Sequence, residues 1–152
     1  MLILSSGITG FLPAPSVDEK EFKQICYSLF GSKVLNYIEY RTAENFYECV
    51  VQIGDREVHV LLNGQYPLMA FTSKRELDVY YFPFINEPEL SKMFEPYYEI
   101  LNLDQLSEPL NYIKRGNKIS MENDNSLHQD ELKQIIFWQP RSVGEVVFNY
   151  WD

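Results

Sequence analysis

The sequence predicts an α+β domain: an antiparallel meander sheet of five or six strands, with an N-terminal and a C-terminal helix packed on one face. Three observations predict it. The apolar residues repeat at helical spacing early in the chain, switch to a period of two between Lys33 and Phe82, and return to helical spacing afterwards. The middle region is rich in Val, Ile, Tyr, Phe and Thr, with turn residues between the runs. The 152 residues contain no long Gly/Ser stretch separating two cores, so a single domain over residues 1–152 is expected.

Leu2 to Leu4 reads as a short strand, followed by a loop with Gly7, Gly10, Pro13 and Pro15. Ser16 and Glu19 then make a capping-box pattern, and Phe22, Ile25, Cys26, Leu29 and Phe30 fall on one helical face. Gly31 ends that helix, because glycine adopts a left-handed conformation at little steric cost. The meander follows, with strands expected at Val34 to Arg41, Phe46 to Ile53, Glu57 to Leu62 and Tyr66 to Thr72, and a further one at Leu77 to Phe82. Asn63-Gly64 and Gly54-Asp55 are the expected two-residue hairpin turns. Pro67 cannot donate to a ladder, which places the fourth strand at an edge or at a bulge.

Beyond Pro83, Asn86 and Glu89 suggest a second capping box, and Leu90, Met93, Phe94, Tyr97, Tyr98 and Leu101 repeat at helical spacing. Pro96 leaves two readings: a kinked helix, or a helix stopping near Phe94 with Tyr97 to Leu101 extended. Leu103 to Ile113 reads as a short helical segment, and the polar stretch 114–126 as a mobile loop. Leu132 to Trp138 fits a buried strand or the end of a helix. Ser142 and Glu145 open a last helix carrying Val143, Val146, Val147 and Tyr150. The tail from Phe137 to Asp152 is dense in aromatics, and Trp138 and Trp151 mark it as a docking segment.

Composition narrows the function. A net charge of −9 opposes contact with nucleic-acid phosphates, so no nucleic-acid partner is expected. No run of eighteen apolar residues occurs, and the apolar start Met1 to Leu4 lacks a basic segment before it. No membrane partner is expected, and a reducing cytoplasm is the expected location. Cys26 and Cys49 lie inside apolar patterns and read as buried thiols.

Nucleophilic catalysis would need a base beside a nucleophile, and the chain has two histidines. In the hairpin closed at Gly54-Asp55, period-two alternation sends Cys49 to one face and His59 to the other, beside Val50 or Gln52. A Cys–His dyad is therefore not expected. His128 stands near Asp130 and Glu131 without metal-ligand spacing, and reads as the start of a helix. Gly7-Ile-Thr-Gly10 is a fragment of a glycine-rich loop that lacks a third glycine and a basic residue. No catalytic residue, metal or cofactor is predicted.

Acidic residues gather in Glu87, Glu89, Glu95, Glu99, Asp104 and Glu108, opposed only by Lys92, and the Tyr97-Tyr98 pair lies among them. A surface made of Glu87, Glu89, Glu95, Tyr97, Tyr98, Glu99 and Asp104 would suit a protein partner, a basic one in particular. The expectation is a non-enzymatic protein-binding module, for instance of the immunity or antitoxin type. The competing reading is a small enzyme or ligand binder with a carboxylate-based pocket, with His59 or His128 taking part.

Overall fold

A computed structural model describes residues 2–12, 15–39, 44–74 and 82–151. The expected strand at Leu77 to Phe82, apart from Phe82 itself, and the end of the first strand at Tyr40 and Arg41 lie outside them. Helix α1 spans Glu19–Phe30. Its cap is Asp18, whose side chain accepts from the Glu21 amide at 3.2 Å, and not Ser16. The Val17 amide donates to the Gly64 carbonyl at 2.9 Å, so the chain at Ser16 and Val17 is still tied to the sheet before it turns into the helix. Gly31, at φ 53°, ends α1 as expected and opens a 3-10 turn, Gly31–Lys33.

The meander is β1 (Val34–Ile38), β2 (Phe46–Ile53), β3 (Arg56–Asn63) and β4 (Leu68–Thr72), each antiparallel to the next. Gly54 and Asp55 close β2 onto β3 as a two-residue turn, with Ile53 opposite Arg56 and Gly54 at φ 62°. Asn63-Gly64 is not such a turn. Asn63 is the last residue of β3, opposite Phe46, and the connection runs over Gly64 to Pro67. The side-chain oxygen Oδ1 of the buried Asn63 accepts from the Gln65 and Tyr66 amides at 2.8 and 2.9 Å, which turns the chain over a longer loop. Pro67 stands just ahead of β4, outside the ladder that it could not have joined.

The far side of β4 is shared. β5 (Phe84–Ile85) pairs antiparallel with Phe71 and Thr72, and β6 (Glu99–Ile100) pairs parallel with Leu68 and Met69. Between them α2, Pro88–Phe94, stops two residues before Pro96, so of the two readings the interrupted helix is the one adopted. Asn86 does not cap α2. Its side chain accepts from the Leu103 amide at 2.9 Å and fixes the start of α3, Leu103–Leu106, which Asn102 and Gln105 cap reciprocally.

The helix expected over Leu103 to Ile113 ends at Leu106, ahead of Pro109, and a hairpin follows: β7 (Tyr112–Arg115) and β8 (Lys118–Met121). Part of the stretch expected as a polar loop is thus paired strand. Its alternation is faint because Ile119 is the one residue of β8 that is fully buried, while Ile113 of β7 is exposed. α4, Gln129–Trp138, settles Leu132 to Trp138 as helix. α5 covers Val143–Val147, with Tyr150 beyond its end. Leu4 makes only an isolated bridge to Asn125.

The fold class is α+β with a six-stranded, mostly antiparallel sheet. The first and last helices, however, do not share a face. Cys49, Val51, Val58, Val60, Leu62, Met69 and Phe71 meet α1 and α2 on one side. Phe46, Leu61, Leu68 and Ala70 meet the N-terminal loop, α4 and α5 on the other. Both faces of β2 to β4 carry apolar residues, and each needs its own cover. Gly144 lets α5 approach closely, since a Cβ there would lie 2.6 Å from the Phe84 ring and 2.9 Å from the Leu106 carbonyl oxygen.

Candidate functional site

The seven residues of the expected partner surface lie along the β6 side of the sheet and divide by burial. Glu89, Glu95, Tyr97, Glu99 and Asp104 are exposed. Glu87 is buried and forms a two-pronged ion pair with the Arg56 guanidinium, closing at 3.2 Å between Nη2 and Oε2. Tyr98 is buried against Phe22 and Phe94, and its hydroxyl has no hydrogen-bond partner among the described residues. Burial first, then the charge of Glu21, pushes the Tyr98 hydroxyl above the ordinary tyrosine range. Glu87 and Tyr98 therefore support the surface from beneath, and Tyr97, half exposed at 50%, is the tyrosine it presents. Glu95 and Glu87 also line a cleft of about 200 Å³ between α2 and β6, with Asn86 and Asn102 at its rim.

His59 and Cys49 are kept apart as strand alternation requires. Cys49 faces the α1 side, fully buried beside Cys26, and the hydrogen bond between the two thiols, then burial, raises Cys26 far above the ordinary thiol range. His59 stands opposite Val50 on the other face, between two carboxylates: Nδ1 lies 2.5 Å from Glu48 Oε2 and Nε2 lies 2.9 Å from Glu57 Oε2. Burial alone would lower the His59 pKa, but hydrogen bonds to Glu48 and Glu57, with their charges, raise it above the ordinary 6.5. The two carboxylates favour the imidazolium form, and both ring nitrogens are occupied by them. Sequence reasoning placed His59 on the right face and missed both of its partners. Glu48 alternates with Tyr47 and Cys49, and that position could have marked it as facing the His59 side.

The glycine-rich fragment has an internal occupant. The Gly7 amide donates to both oxygens of the fully buried Glu131 at 3.0 and 3.1 Å, and the Thr9 hydroxyl donates to Oε2 at 2.6 Å. Glu131 also accepts from the His128 amide at 3.2 Å, while His128 Nδ1 accepts from the Asp130 amide at 3.1 Å. His128 thus caps α4, and the loop that resembles an anion cradle holds the protein's own carboxylate.

One concavity was not foreseen as a site. A cleft of about 590 Å³ opens where α4 ends, lined by Trp138, Tyr150, Trp151 and Phe82, with Arg141 and Glu145 as its charged residues. Gln139, at φ 52°, makes the left-handed turn that brings Pro140 and Arg141 round to it. The aromatic density of the tail was visible in the sequence, but it pointed only to docking.

Among the described residues no group of three or more His, Cys, Asp or Glu side chains could hold a metal ion, and no helix is long and apolar enough to cross a membrane. No family model, curated protein or solved structure matches the chain.

Proposed function

We propose that this chain is a protein-binding module that engages a basic partner through the exposed acidic edge formed by Glu89, Glu95, Tyr97, Glu99 and Asp104. The observation that carries the reading is the solvent-facing cluster around Tyr97: a half-exposed tyrosine flanked by Glu95 and Glu99, neither of which has an ion-pair partner among the described residues. Such a surface offers one aromatic anchor and a negative field that speeds encounter with a positive partner. The immunity or antitoxin type of activity, neutralising a basic protein by covering it, is the concrete form of this proposal. His59 supports binding over catalysis, because both of its nitrogens are engaged by carboxylates and its side chain is 7% exposed.

Affinity capture from the native cell tests the reading, with the wild-type chain and a Glu95→Gln, Tyr97→Ala, Glu99→Gln variant compared side by side. The expected result is a stoichiometric basic protein held by the wild type, released by salt, and lost with the variant. A partner held equally by both, or a retained small molecule with no protein, would overturn the assignment of this edge.

A further inference from the structure

We propose that the aromatic cleft at the end of α4 is a binding site for an organic cation, an alkylammonium or guanidinium head group. The inference does not rest on the acidic edge. Trp138, Tyr150 and Trp151 are half-buried with part of each ring open to the cleft. The Trp138 and Trp151 indoles lie 4° from parallel with centroids 6.5 Å apart, and Tyr150 meets Phe82 edge-on at 6.0 Å and 80°. All four rings line the same space, and the face of each carries the negative lobe of its quadrupole, which attracts cations.

The charged groups select the sign of the ligand. Glu145 is the one acidic side chain among the described residues lining the cleft, and its side chain is only 16% exposed. Oε2 accepts from the Arg141 backbone amide at 2.9 Å, which fixes the carboxylate in place. Oε1 lies 3.7 Å from the Arg141 Nε, a loose contact with a side chain that is 76% exposed. Arg141 is thus a weakly held internal cation that an incoming head group can displace into solvent, at little cost for so exposed a pair. An anion would meet Glu145 and the ring faces, and a net charge of −9 concentrates cations near the surface. Free alkylammonium compounds and the side chains of a basic polypeptide both supply this chemistry.

Both tryptophans of the chain line the cleft, so intrinsic fluorescence reads it directly. The titrants are choline, its uncharged isostere 3,3-dimethyl-1-butanol, and a short acetylated and amidated peptide containing one arginine. Saturable quenching by choline or by the peptide is expected, with the tighter of the two identifying the source, and a midpoint about tenfold weaker for the neutral isostere. Glu145→Gln keeps the acceptor for the Arg141 amide and removes the charge, and should weaken cation binding about tenfold. Arg141→Gln removes the internal competitor and should tighten it about threefold. Equal midpoints for choline and the isostere would overturn the proposal, as would Arg141→Gln weakening the cation or no saturable change with either cation. If Glu145→Gln fails to fold, the isostere and Arg141→Gln decide the matter.

Discussion

The fold favours the charged form of His59, and the consequence is a pH dependence of definite sign. Its folded pKa is raised above the ordinary 6.5, so the folded state holds this proton more tightly than the unfolded chain does. The resulting stabilisation is fully present below the unfolded value and is lost as pH rises through the raised folded value. In urea unfolding across neutral to alkaline pH, the wild type should lose stability on the alkaline side, and the gap between it and a His59→Gln variant should narrow as pH rises. A gap that widens toward alkaline pH would contradict the imidazolium held between Glu48 and Glu57. Tyr98 shows the opposite case: its buried hydroxyl has no partner among the described residues, and the ring packs against Phe22 and Phe94.

At the scale of elements, the start of α4 is tied to the N-terminal loop through one carboxylate, Glu131. Glu131 closes the capping box with His128 and at the same time gathers the Gly7 amide and the Thr9 hydroxyl, so removing it strands buried donors on two segments. Glu131→Ala should cost about 3 kcal/mol in chemical denaturation, the price of leaving charge-assisted donors without an acceptor. A loss below about 1 kcal/mol would mean that water or another group replaces the carboxylate. This anchor was illegible in the sequence, because Gly7 and Glu131 are 124 residues apart and neither position has a local signature of the contact. β2 and β3 were legible for the reverse reason: their period-two alternation and Gly54-Asp55 turn are local, and they fix the opposition of Cys49 and His59 without any distant partner. The β7–β8 hairpin escaped notice because a strand with one core-facing residue has almost no period to read. On the acidic segment, charge and side-chain chemistry could not separate the exposed Glu95, Tyr97 and Glu99 from the buried Glu87, whose Arg56 partner is 31 residues away.

The molecule as a whole is closed by its ends. Asn45 and Asn63 both donate to the Ile8 and Val147 carbonyls, and Asn149 donates to Thr9, so the N-terminal loop and the end of α5 are tied to the same two strands. Trp151 completes this closure by stacking on Trp138 and touching Phe11. Truncation from Trp151 onward should cost about 2 kcal/mol and lower the thermal midpoint by about 4–8 °C. An unchanged midpoint would show that the ring adds nothing to the fold.

The division of the far side of β4 between two short strands also governs how the sheet meets other chains. β5 and β6 occupy that border in opposite senses, so an incoming extended peptide finds no uninterrupted row of donors and acceptors there. Among the described residues the longer border of this sheet is β1, where the register slips between Val34 and Asn36 and breaks the regular spacing that a growing fibril would need.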